Sequence, residues 1–184
     1  MAENKGKARD VNATGAGMGT NPSGRMAPLG DLDNFEVAKD IRDPRGWDVL
    51  TADGSKIGKV HELIVDTGAL RTRYIDISLD KKALRLNQER DVLIPVGDAR
   101  LDTSDEKVVI EGLTVTQLAD LPEFNHVQIT REYEASVLPT FRGAGQMKPG
   151  EGIDFYADRH FDDTRFYGAA NRATGPTITE TGAR

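Results

Sequence analysis

The sequence predicts a mainly β fold: a small β-barrel, short helices after it, and extended tails at both ends. Three observations carry that expectation. Short apolar runs of about strand length are separated by turn signals between Trp47 and Gly112. The run Arg71 to Asp80 alternates with period two. Glycine is concentrated near the two ends, where large apolar residues are sparse.

Residues 1 to 27 are rich in Gly, Ala, Asn, Ser and Thr, with Val11, Met18 and Met26 as the larger apolar groups. Such a segment buries too little surface to offset chain entropy, so it is expected to be a flexible tail that orders on a partner. Residues 28 to 45 carry Leu29, Leu32, Phe35 and Val37 among acids and end in a Pro-Arg-Gly turn, which reads as an extended arm lying on the domain.

The barrel is expected over residues 46 to 122. Its first strand is the run "WDVLTA", closed by Asp53-Gly54, a dipeptide suited to a tight hairpin. The second is "KIGKVHELIVD", where Ile57, Val60, Leu63 and Val65 break strict alternation and Gly58 predicts a bulge or bend. In the third, Tyr74, Asp76 and Ser78 face one way and Arg73, Ile75, Ile77 and Leu79 the other, predicting one buried and one wet face. Val92 to Ile94 make a fourth strand limited by Pro95, and "KVVIEG" a fifth. Thr114 and Gln117 have capping-box spacing, so a short helix starts there and stops before Pro122.

A short helical extension is expected over 123 to 142, with a helix around Arg131 to Val137 ended by Pro139. Residues 143 to 184 read as an irregular tail in which Phe155, Tyr156, Phe161, Phe166 and Tyr167 are interleaved with polar residues, a contact-surface composition.

The formal charge of −6 disfavours nucleic-acid partners. With no cysteine there is no disulfide, thiolate metal site or cysteine nucleophile, which fits a reducing cytoplasm. No run approaches the roughly 20 apolar residues that span a bilayer, so no direct membrane insertion is expected. No nucleophile elbow, phosphate-cradling loop or H-E-x-x-H motif is present, and the chain is expected not to be an enzyme.

The segment "DPRGWDVLTADGSKIGKVHELIVDTGALRTRYIDISL", followed by "VLIPVGDARLDTSDEKVVIEGLTVTQLADLP", resembles the PRC-barrel family over residues 43 to 122. The Asp43 to Gly46 turn, the Leu93-Ile94-Pro95 strand end and the helix ending at Leu121-Pro122 are similar to the cytoplasmic domain of the photosynthetic reaction-centre H subunit. H subunits ordinarily begin with a transmembrane helix, which this chain lacks, and those implicated in proton uptake carry a glutamate where Ala69 stands, although the arginine matching Arg73 is present.

The resemblance implies a non-enzymatic subunit, peripheral on the cytoplasmic face of a photosynthetic membrane, that caps and stabilises a reaction centre and aids proton delivery to a quinone site. Its partners would be membrane-embedded core subunits and neighbouring antenna chains. Bacteriochlorophyll, quinone and iron would belong to them, and this chain would bind no cofactor or metal. The alternative is a free soluble PRC-barrel stress or adaptor protein that binds another protein or a small ligand.

Leu29, Phe35, Arg45, Arg73, Tyr133, Phe155, Tyr156, Phe161, Phe166 and Tyr167 are the expected partner contacts. Glu62, Asp66 and Asp76 are the candidate proton-relay carboxylates; alternation alone also accounts for them as a solvated outer face. His61, His126 and His160 sit in no recognised ligand spacing. Asp158, His160, Asp162 and Asp163 could offer mixed oxygen and imidazole ligands, but acidic irregular segments produce such clusters often.

Overall fold

The computed structural model describes residues 26–126, 128–142, 155–168 and 175–182. The expectations for residues 1–25, 143–154 and 169–174 lie outside them. The chain is mainly β, as its alternation predicts. A short β1 (Met26–Pro28) leads through a 3₁₀ turn to β2 (Phe35–Val37), followed by β3 (Asp48–Thr51), β4 (Lys56–Asp66) and β5 (Arg71–Leu79). After α1 (Lys81–Leu84) come β6 (Arg90–Pro95), β7 (Ala99–Asp102) and β8 (Lys107–Ile110). The remaining elements are α2 (Val115–Ala119), α3 (Arg131–Arg142), α4 (Asp163–Tyr167) and β9 (Ile178–Glu180).

The main sheet runs β6-β5-β4-β3-β8-β7, and β1 also pairs with β4, beyond the stretch that β3 occupies. β3 and β8 run parallel; the other pairs are antiparallel. Among the described residues the ladder is not closed by hydrogen bonds. Its two terminal strands, β6 and β7, are instead joined directly by the single 3₁₀ turn Val96–Asp98. A separate ribbon of β2 and β9 ties the arm to the C-terminal end of the described chain.

Bulges explain the broken alternation of β4. Its register against β3 and β5 steps over Ile57 and His61, and that of β5 against β4 steps over Arg73. The bend expected at Gly58 therefore falls beside it. The glycine serves close approach: a Cβ there would overlap the Ser78 carbonyl of β5. Gly54, at φ +84°, closes the β3–β4 hairpin with its N–H donating to the Thr51 carbonyl at 2.9 Å. At α2 the capping box forms: Gln117 N–H donates to Thr114 Oγ1 at 3.3 Å, and Thr114 N–H to Gln117 Oε1 at 3.0 Å.

Two expectations need correction. The helix around Arg131 runs on to Arg142 with Pro139 inside it. A proline costs its own amide hydrogen bond, but the final turn is held by Phe141 packing on the core and by Arg142 pairing with Asp158 at 2.8 Å. The second correction concerns the wet face of β5. Both faces of the sheet are buried, because the chain folds back over the outer one.

On the inner face Val49, Ile57, Ile75, Ile77, Val92, Ile94, Val108 and Ile110 pack with Leu118 and Leu121 from around α2 and with Leu29 and Ile41 of the arm. On the outer face Ile64, Tyr74 and Leu93 pack with Phe124, Ile129, Leu138, Tyr156 and Phe161. Adjacent residues of one strand, Leu93 and Ile94, thus serve different cores, as strand geometry requires.

Candidate functional site

The expected partner contacts are mostly internal. Leu29, Tyr156, Phe161, Phe166 and Tyr167 are buried. Phe161 meets the Tyr74 and Tyr156 rings edge-on, with centroids 5.3 and 5.0 Å apart. The Tyr156 hydroxyl donates to Glu134 at 2.7 Å, and the Tyr167 hydroxyl lies 3.0 Å from that of Thr72. Phe155 is half-buried beneath the Arg131 guanidinium, 3.9 Å from its ring centroid. The aromatic interleaving after residue 154 is therefore a core contribution rather than a free contact surface.

Phe35 is half-buried on β2, and the half-buried Tyr133 donates its hydroxyl to the Pro122 carbonyl at 3.1 Å. The two arginines are spent within the chain. Arg45 holds Asp43 through Nε at 2.9 Å and Nη2 at 2.6 Å and reaches Glu62 at 3.3 Å; the bond to Asp43 pushes its pKa further up. Arg73, on its bulge, donates to the Phe161 carbonyl at 3.4 Å and stands over the Tyr156 ring.

The three carboxylates part company. Glu62 accepts from the Gly30 amide and from Arg45, so it anchors the arm. Asp66 accepts the Gly68 and Ala69 amides and shapes the β4–β5 turn. Asp76 is fully buried, which overturns the solvated-face account for that residue. Asp158, His160, Asp162 and Asp163 do not converge. Asp158 caps the His160 amide, His160 Nδ1 lies 2.6 Å from Asp98, Asp162 caps α4, and Asp163 holds Arg71 and Thr177.

What converges instead is a group gathered from three neighbouring strands and one loop. His61 stands on a β4 bulge, a device that re-aims a side chain. Its Nδ1 lies 2.9 Å from Asp76 Oδ2 of β5. His126 follows α2, where the Phe124 amide donates to the Asp91 carbonyl of β6 at 2.7 Å and fixes the loop on the strand edge. His126 adopts φ +53°. Its Nδ1 lies 3.5 Å from Asp76 Oδ2 and its Nε2 2.6 Å from Asp91 Oδ2. Ser78 donates to the other Asp91 oxygen at 2.5 Å.

Burial pushes the Asp76 carboxyl up to about 6, with the nearby Asp91 charge adding to it and the His61 hydrogen bond opposing it. The same bond raises the His61 imidazole. The cluster sits beside an open pocket of about 410 Å³ lined by Ser78, Arg90, Asp91, Glu123, Phe124 and His126, among others.

Residues 36–117 match the family model of the PRC-barrel domain. The chain carries a PRC-barrel domain. The matched stretch runs from β2 into α2, so the PRC-barrel domain supplies His61, Asp76 and Asp91. His126, Glu134 and Phe161 come from beyond it, and the outer face of the domain is completed by sequence outside the match. Among the described residues no helix is long and apolar enough to cross a membrane.

The sequence concealed this cluster because its members lie 15 residues apart across a hairpin, or 35 apart across three elements. Hairpin register was the only available signal. Even that fails at His61, since the bulge displaces it from simple alternation.

Proposed function

We propose that the chain is a non-enzymatic subunit that docks on the cytoplasmic face of a photosynthetic reaction-centre complex, with the PRC-barrel domain as its scaffold. The observation that carries the reading is the H-subunit-like motif order from Asp43 to Pro122, whose pieces occupy the turning points of the fold. Trp47 N–H closes the Asp43–Gly46 turn on the Pro44 carbonyl at 3.0 Å, Pro95 ends β6, and Leu121-Pro122 follow α2. Partner cofactors (bacteriochlorophyll, quinone and iron) would remain with the membrane-embedded core and antenna chains. Glu62 and Asp66 are held in structural bonds, which counts against a proton-relay role for either.

A second reading, a free soluble adaptor, is favoured by one observation: the chain covers both faces of its own sheet and needs no partner to complete a core. Membrane fractionation separates the two. A tagged full-length chain in its native cells is expected to co-migrate with pigment-bearing complexes on a density gradient and to be released by high salt. Quantitative recovery in the soluble fraction, free of pigment, would sink the docking reading and leave the adaptor.

A further inference from the structure

Independently of any docking role, the cluster beside the pocket has the composition of a cation site. We propose that His61, Asp76, Asp91 and His126 bind one divalent transition-metal ion of the zinc type. Two imidazoles with two carboxylates suit zinc and its first-row neighbours; magnesium and calcium favour all-oxygen sites.

The spacing is that of a site ready to contract. One donor atom from each residue lies within 4.8 Å of the other three. Donors around a tetrahedral ion with bonds of about 2.0–2.2 Å stand roughly 3.4 Å apart. Side-chain adjustments of about an ångström therefore close the site, without a new backbone path.

A second observation points the same way. The Asp76 side chain is 1% exposed, and its Oδ1 is buried with no hydrogen-bond partner among the described residues. A buried carboxylate oxygen without a donor is costly, and a bound cation is a natural counter-charge. His61 and His126 satisfy only Oδ2 of that carboxylate.

The supporting shell is in place. Ser78 occupies Asp91 Oδ1 and so leaves Oδ2 directed to the cluster, where it already meets His126. The Phe124 ring packs 5.0 Å from the His126 ring, and its amide bond to β6 holds the loop. The imidazoles are 53% and 43% exposed, which gives an ion its entry. Three donors belong to the PRC-barrel domain and the fourth to the following loop, so the site exists only once that loop is seated.

Isothermal titration of the chelator-treated full-length chain with zinc chloride tests the assignment, with cobalt spectra as a second readout. One equivalent should bind, and cobalt should show ligand-field bands from a nitrogen–oxygen set. The double variant His61→Ala, His126→Ala should lose stoichiometric binding while circular dichroism shows a retained fold, since both side chains are half-exposed. Ser78→Ala keeps all four donors and should weaken binding by about 10-fold or more; it decides the matter if the double variant does not fold. No zinc uptake by the unaltered chain, or unchanged affinity in a folded double variant, would overturn the proposal.

Discussion

Replacing Glu134 by alanine is expected to destabilise the chain by about 3–5 kcal/mol, the range for removing one partner of a buried charged pair. Glu134 is fully buried in α3 and organises the outer face. It accepts from the Tyr74 hydroxyl at 2.9 Å, from Tyr156 at 2.7 Å and from Arg131 at 3.1 Å. Alanine would remove this acceptor from the buried Tyr74 and Tyr156 hydroxyls and this counter-charge from the half-buried Arg131 guanidinium. Urea denaturation followed by circular dichroism measures the loss. A change below about 0.5 kcal/mol, typical of a surface position, would contradict this role.

The same residue gives the outer core a pH dependence. Burial raises the Glu134 carboxyl above its ordinary value, against the opposing pull of Tyr156, Tyr74 and Arg131. A folded pKa above the unfolded one contributes stability that is complete below the unfolded value and is lost as pH rises through the folded value. The unaltered chain should therefore lose stability relative to Glu134→Gln as pH rises above the ordinary glutamate value of about 4.3, over the interval up to the raised folded value. A gain over that interval would reverse the sign and refute the burial account.

Phe161→Ala is the second large effect, also expected at about 3–5 kcal/mol, because a fully packed aromatic side chain is removed from a closed core. Phe161 is 2% exposed and touches Tyr74, Phe155 and Tyr156. Its backbone is held as well: the carbonyl accepts from Arg73, and the neighbouring 3₁₀ turn Arg159–Phe161 lies against Gly97, where a Cβ would overlap the Arg159 carbonyl. A residue waiting for a partner would cost less than about 0.5 kcal/mol on truncation in the isolated chain. Chemical denaturation of the two proteins separates these outcomes.

The sequence is legible where its signals are local. The period-two pattern of β5, the Asp53-Gly54 hairpin and the Thr114–Gln117 capping box are local features, so each could be read from neighbouring residues. The short strands β1, β2, β7 and β9 do not stand out in the sequence, because three or four residues carry little alternation and these lack the paired aliphatic runs, Val49-Leu50 and Val108-Val109, that mark β3 and β8.

The covering of the outer face is hidden in the sequence for a related reason. Asp76 and Ser78 make one side of β5 look wet, and nothing near them announces that Phe124, Leu138 and Phe161 return to cover it. Asp76 is instead accommodated by two histidines brought from β4 and from the loop after α2. Long-range polar compensation of this kind leaves no periodic trace. The aromatic residues after 154 carry a contact composition, and in the fold they pack into the chain's own cores.

The outer face of the PRC-barrel domain is closed by this chain's α3 and residues 155–161. The most direct test is a nuclear Overhauser spectrum of the isolated full-length chain in solution. Cross-peaks linking the Phe161 ring to the Tyr74 and Tyr156 rings are predicted, with ring-current-shifted resonances for all three. Phe161 resonances at random-coil positions, with no cross-peak to Tyr74 while the β4–β5 hairpin remains folded, would contradict the account.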